Sequence, residues 1–157
     1  AFKPRVREMR AAVDFAENGR SAVILRLGQL YGRDPGTTYA LRKTREGEAV
    51  LLGKPSDYIT LVHHIDAGRA FLAALDARSG FYNVGGEPIT RARWAKDLGR
   101  EARAGMDAKF FPAATQAVLP AKMDVQRRSL RVSSIRFMRE TGWRPTIGPS
   151  SLGWSRM

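Results

Sequence analysis

Tyr31 is the first residue of this chain whose type and setting could do chemistry. It follows Arg26-Leu27-Gly28-Gln29-Leu30 and precedes Gly32, with a turn at Asp34-Pro35-Gly36 beyond. A phenol serves as a general acid near neutrality when a neighbouring cation lowers its pKa. No lysine lies three or four residues on, and Arg33 is the nearest cation. The other role open to Tyr31 is to pack over a strand end and anchor the turn. His63-His64 is the second candidate. Adjacent side chains on a strand point to opposite faces, so this pair cannot chelate one metal. No cysteine and no nearby carboxylate pair completes a metal site. The structural role is one histidine buried and hydrogen-bonded at a strand end. Arg127, Arg128 and Arg131 are the third group. Their guanidinium forks suit phosphate or carboxylate, and they read equally well as a solvated loop. Other phosphate and nucleophile motifs fail on spacing. Gly47 to Gly53-Lys54 has one residue too many for a P-loop, and Pro55 stands where Ser or Thr must bind magnesium. There is no G-x-G-x-x-G after a strand and no G-x-S-x-G. No catalytic residue is assigned.

The elements that must position these groups follow from periodicity. Val6, Met9, Val13 and Ala16 recur at helical spacing, so residues 5–18 are expected as a helix ended by Asn18-Gly19. Residues 21–27 are apolar on both faces, as in a covered parallel strand. Thr37 or Thr38 is expected to cap a helix through about residue 45, with a short strand at 49–52. Residues 58–63 read as one strand. Asp66 then caps a helix whose apolar stripe is Ala67, Ala70, Phe71, Ala74 and Leu75. A strand at 81–84 runs into the Gly85-Gly86 turn, and Thr90 caps a helix with Trp94, Leu98 and Ala102 on one face. A short strand at 109–111 and an Ala-rich turn or helix to about residue 119 come next. Ser133 caps a last helix that buries Phe137 and Met138 and stops at Gly142-Trp143-Arg144-Pro145. The alternation points to an α/β chain.

The 157 residues allow one ordinary domain or a piece of a larger one. No apolar run approaches the roughly 20 residues that span a bilayer, so no membrane partner is expected. No secretory signal pattern is seen, and the absence of cysteine suits a cytoplasmic setting. The net charge of +12 would attract polyanions. Yet 21 of the basic residues are arginine and six are lysine, scattered rather than clustered, a bias that also fits a GC-rich coding sequence. Nucleic-acid binding as the main function is not supported.

The segments VILRLGQLYG, YITLVHHIDAGRAFLAAL, FYNVGGEPIT and RRSLRVSSIRFMRETGWRP occur here in order. Together they resemble the C-terminal half of extended short-chain dehydrogenase/reductases, the NAD-dependent epimerase/dehydratase family, from about Glu8 to the end. Arg26, Tyr31 and Gly32 meet the family's R-P-x-N-x-Y-G pattern, with Leu27 for the Pro near the nicotinamide and Gln29 for a substrate-contacting Asn. Val62, His63 and Asp66 meet V-H-x-x-D. The family's glycine-rich cofactor turn is absent. So is its Y-x-x-x-K pair: with Glu8 in register, Pro4 takes the lysine position and Lys3 lies one residue off. The arginine usual before the D-Y-I strand is Ser56.

The resemblance implies a fold that is the C-terminal part of a Rossmann-like doubly wound sheet plus a small α/β substrate-binding subdomain. Residues 1–36 would be the last helix and strand of the dinucleotide-binding sheet. Residues 37–157 would be the substrate-binding subdomain, with a return strand near 80–86. It implies epimerase, dehydratase or reductase activity, isomerase or oxidoreductase in class, on a sugar nucleotide or other small polar substrate. NAD or NADP would serve the intact protein, with none bound by this chain alone. Leu27 would lie at the cofactor, and Gln29, Tyr31, His63 and Arg128 at the substrate. A strand with bare faces at 22–25 would need the N-terminal half or a second copy as partner. The rival readings are a non-catalytic binding or regulatory protein of the same fold and a basic nucleic-acid-associated module.

Overall fold

The computed structural model describes residues 3–17, 20–120, 123–151 and 153–157 as an α/β chain. In order it runs α1 (Lys3–Glu17), β1 (Val23–Leu27), β2 (Gln29–Tyr31), α2 (Pro35–Arg45), β3 (Ala49–Leu51), β4 (Tyr58–Ile59), β5 (Leu61–His63), α3 (His64–Ala73), β6 (Gly80–Val84), β7 (Ile89–Thr90), α4 (Arg91–Ala102), β8 (Lys109–Phe110), α5 (Ala113–Ala117), α6 (Asp124–Arg127) and α7 (Ile135–Thr141). A 3₁₀ turn follows α3, and another, Trp154–Arg156, closes the chain. The helix expected over 5–18 is α1. The side chain of Val6 and the expected stop at Asn18-Gly19 lie outside the described residues. Among the described residues, no helix is long and apolar enough to cross a membrane.

The strands pair in twos. β1 lies parallel to β6 with Leu25 opposite Tyr82, β2 parallel to β5, β3 parallel to β8, and β4 antiparallel to β7. Parallel partners need long crossovers, which the intervening helices supply. The 23–31 stretch, expected as a strand and an irregular exit, is therefore two strands. The chain changes partner at Gly28, whose N–H bonds the Val84 carbonyl at 2.8 Å while the Gln29 N–H bonds the Thr60 carbonyl at 2.9 Å. A Cβ at position 28 would stand 2.7 Å from the Thr60 carbonyl oxygen, so only glycine allows the switch. The expected single strand at 58–63 is divided at Thr60 for the same reason: its first part faces β7, its second β2. Thr60 holds the break by accepting from the Val132 N–H at 3.0 Å.

Several helix starts differ from the sequence expectation. Asp34, not Thr37 or Thr38, caps α2: its Oδ1 accepts from the Thr37 N–H at 3.0 Å, and Pro35 supplies the first helical residue. Asp66 does not cap α3. His63 does, its Nδ1 accepting from the Ile65 N–H at 3.4 Å. Ser134 precedes α7 with its hydroxyl drawn away to both backbone groups of Gly85, at 2.7 and 2.9 Å, while the expected Ser133 accepts from the Ile135 N–H at 3.4 Å. Thr90 caps α4 as expected, accepting from the Arg93 N–H.

Two apolar clusters fill the molecule. One gathers Tyr31, Leu51, Ile59, Trp94, Leu98 and Trp154 where β2, β3 and α4 meet. The other gathers Val62, Ala67, Ala70, Tyr82, Val84 and Phe137 between β5, β6, α3 and α7. The expected α3 stripe splits between inside and outside. Ala67 and Ala70 are buried, but Phe71 and Leu75 are 57% and 81% exposed. Small alanines bring the helix close to the sheet and turn the larger side chains outward. β1 is neither bare nor covered: Val23, Leu25 and Leu27 pack against the second cluster, and every apolar side chain of the strand is half-buried.

Candidate functional site

A cleft of about 850 Å³ opens between the β2–α2 turn, β3, β4 and the start of α4. Trp94, Leu98, Leu51 and Ile59 form an apolar wall, and Phe111, Met123 and Gln126 close the far side. Apolar walls with a few placed polar groups are the usual make-up of a small-molecule site. Here the polar groups are Gln29, Asp34, Thr37, Tyr39, Arg91 and Gln126.

Gln29 is exposed at the start of β2 and borders this cleft, where the sequence placed a substrate contact. The other expected residues lie elsewhere. Leu27 packs against the second cluster. Arg128 is exposed and away from the cleft lining; its carbonyl, not its guanidinium, is engaged. Arg127 pairs with Asp124, and Arg131 stacks over the Tyr58 ring at 3.5 Å.

Tyr31 and His63 border a smaller cleft of about 380 Å³ closed by residues 145–150. Tyr31 is 1% exposed, and its hydroxyl donates to the Ile147 carbonyl at 2.6 Å. Burial, reinforced by the Asp66 and Asp97 charges, raises its pKa far above the usual tyrosine value. That is the opposite of what a general acid near neutrality needs, and its ring packs edge-on against His63, Trp94 and Trp154. The anchoring role weighed from the sequence is the one this geometry fits. His63 is equally enclosed. Because Nδ1 accepts from the Ile65 N–H, the proton sits on Nε2, which donates to the Trp154 carbonyl at 3.0 Å. Burial lowers its pKa, keeping the ring neutral. His64 stands against it, ring centroids 4.3 Å apart, and accepts from the Arg33 N–H. Among the described residues, no group of three or more His, Asp or Glu is placed to hold a metal.

Two residues lining the large cleft each hold a buried side-chain atom without a partner. Asp34 Oδ2 is buried without a hydrogen-bond partner, while its Oδ1 caps α2. Arg91 is 5% exposed; its Nη2 donates to the Arg128 carbonyl at 3.0 Å, and its Nε has no partner. Neither residue was singled out for the site from the sequence. One signal was there: Arg91 is the first residue of a helix, and a cation at that end opposes the helix dipole.

No protein-family model matches the chain, and no curated protein matches it. Solved structures do. The chain is 21% identical to the UDP-glucose 4-epimerase of Thermotoga maritima solved with UDP-glucose, over 94% of this chain and 48% of that one, with a TM-score of 0.69. It is 28% identical to the Thermus thermophilus UDP-glucose 4-epimerase in complex with NAD, over 90% and 47%, TM-score 0.65. An epimerase of Methanothermobacter thermautotrophicus matches at 14% identity over 95% and 45%, TM-score 0.72. The chain spans about half the length of these proteins. Its fold is thus part of the Rossmann-like fold of NAD-dependent epimerase/dehydratase enzymes.

Proposed function

We propose that the chain is the substrate-binding portion of an NAD(P)-dependent epimerase, dehydratase or reductase acting on a hydroxyl or keto carbon of a sugar nucleotide or other small polar substrate. The observation that supports this reading is the large cleft beside Gln29, in a fold shared over 94% of its length with a protein solved with UDP-glucose. Residues 1–36, with the return strand near 80–86, then belong to a dinucleotide-binding sheet, and residues 37–157 to a substrate-binding subdomain. The parallel β1–β6 ladder is in keeping with that division. We place the protein in the cytoplasm.

The residues present do not fit a dinucleotide. Leu27, expected at the cofactor, packs into the second cluster, and the sequence has no glycine-rich turn between a strand and a helix. No step of hydride transfer is therefore assigned to this chain. What its residues do is bind and orient. Gln29 offers a carboxamide to ligand hydroxyls, and Trp94 and Phe111 supply apolar surface for a ring. The rival reading, a non-catalytic binding protein of the same fold, draws on the structural commitment of Tyr31 and His63.

Calorimetric titration tests the proposal. The 157-residue chain is expected to bind UDP-glucose, to leave NAD unbound and to catalyse no interconversion alone. Failure to bind UDP-glucose, or turnover by the isolated chain with added NAD, overturns it.

A further inference from the structure

The chain's two histidines are adjacent, where β5 passes into α3. The alternation of a strand, which would send their side chains to opposite faces, has ended there. Their ring centroids lie 4.3 Å apart. Each ring uses Nδ1 as an acceptor for a backbone N–H. His63 Nδ1 accepts from Ile65, and His64 Nδ1 accepts from Arg33 at 3.2 Å. The His64 bond thereby ties the start of α3 to the turn between β2 and α2. Gly32, at φ +114, lays the backbone of that turn against both rings: a Cβ there would overlap His64 Nδ1 and stand 2.7 Å from His63 Nε2. Only glycine allows so close an approach.

An imidazole nitrogen accepts a hydrogen bond only while it carries no proton. Protonated His64 is a donor at both nitrogens, so its Nδ1–H would face the Arg33 N–H and the contact would turn repulsive. Histidine is the side chain whose charge changes between about pH 5 and 8. His63 is 1% exposed and is held neutral by burial, against the Trp154 carbonyl and Asp66 and together with the His64 charge. His64 is half-buried, so water reaches it. The titratable and charged groups on the elements around the pair are Tyr31 on β2, Arg33 and Asp34 on the turn, Asp66 and Arg69 on α3, and Arg156 on the closing 3₁₀ turn. The carboxylates are engaged elsewhere: Asp34 Oδ1 with the Thr37 N–H, and Asp66 with Thr146, Ile147 and Arg69. The Arg33 guanidinium donates to the Arg156 carbonyl at 2.7 Å, on the same turn whose Trp154 carbonyl takes the His63 Nε2–H. Among the described residues, neither imidazole enters an ion pair.

The turn that His64 holds is also a wall. Asp34, Gly36 and Thr37 line the large cleft, and the Asp34 cap fixes the first turn of α2. We propose that His64 is a pH-sensitive latch on this wall: neutral, it holds the β2–α2 turn through the Arg33 N–H, and protonated, it lets the turn move away from α3. The cleft then keeps one shape at neutral pH and loosens in mild acid, whatever molecule occupies it. The latch goes beyond the sugar-nucleotide reading and stands without it.

The test is an NMR titration of the isotope-labelled full chain from about pH 7.5 to about pH 5, a window above the ordinary carboxylate range. The Arg33 amide resonance should shift in one step that coincides with titration of the His64 ring protons. Hydrogen-exchange protection of the Arg33 and Thr37 amides, corrected for the intrinsic pH dependence of exchange, should fall roughly fivefold across that step, the worth of one ordinary hydrogen bond. His64→Gln keeps an acceptor that does not titrate, so its Arg33 amide should not shift. His64→Ala has no acceptor and should show the acid-state protection already at neutral pH. The Ile65 amide reports on His63 separately. A wild-type titration without a step at Arg33 overturns the latch, and needs no variant to fold. So do an Arg33 step that persists in His64→Gln, wild-type protection in His64→Ala at neutral pH, and an Arg33 shift that leaves Thr37 protection unchanged.

Discussion

Two clefts border the β2–β5 ladder, and their polar groups have opposite fates. In the smaller one, Tyr31 and His63 are buried with their polar atoms engaged by the chain that returns past residue 145, which Asp66 behind it also ties down. In the larger one, Arg91 and Asp34 are left with unpartnered atoms. The Trp154 indole N–H and Asp97 Oδ2 also lack hydrogen-bond partners, but neither residue lines either cleft. Tyr31 and His63, the residues that look catalytic by type, have their polar atoms engaged within the chain.

The sharpest way to break this contrast is at Asp66. Its carboxylate accepts from the Thr146 N–H, the Ile147 N–H and the Thr146 hydroxyl at 2.9, 2.9 and 2.7 Å, at 0% exposure. Asp66→Ala strands those donors and should cost roughly 3–5 kcal/mol in urea unfolding. Asp66→Asn keeps an oxygen for the two amides and should cost only about 1–2 kcal/mol. An unchanged midpoint in Asp66→Ala would show that the 145–150 segment is not tied as described.

A smaller effect is expected from pH. His63 is held neutral by burial, so its folded pKa lies below its unfolded one. Between those values the unfolded chain binds more protons, and stability falls with falling pH. The loss should begin below about pH 6.5, the ordinary histidine value, and continue until the folded pKa is passed. His63→Gln should flatten that slope in urea melts between pH 7.5 and 5. A wild-type profile without a slope would contradict the buried neutral ring.

The smallest effect belongs to the open cleft. Gln29→Ala removes an exposed side chain and should change stability by less than about 0.5 kcal/mol. It should weaken UDP-glucose binding several-fold, by about 1 kcal/mol. Destabilisation without loss of binding would move Gln29 to the structural group.

Much of the fold was legible because its signals are local. Trp94, Leu98 and Ala102 share a face at helical spacing and are buried as expected. Thr90 caps the helix its hydroxyl suggested, and residues 81–84 form a strand. The misses share one cause. Asp66 looked like a cap because it is acidic at a helix start, but the 145–147 backbone, some 80 residues away in sequence, captures its carboxylate. Phe71 and Leu75 looked buried by periodicity, but the alanine face is the one the sheet accepts. Trp154 gave no pattern to read, lying beyond the last periodic segment, yet it is fully buried.

For the site, sequence and resemblance brought Gln29 to the cleft and named Tyr31 and His63 as residues with a special setting. They also pointed to Arg128, which is exposed and does not line that cleft. By itself the sequence determined the α/β alternation, the apolar β1 ribbon and the buried face of α4. These depend on neighbours within a few residues. Only the tertiary structure decided which polar atoms are satisfied and which face an open cleft. Pairings such as His63 with Trp154 and Asp66 with Thr146 join positions far apart in the chain. Each removes a group from the pool a ligand could use.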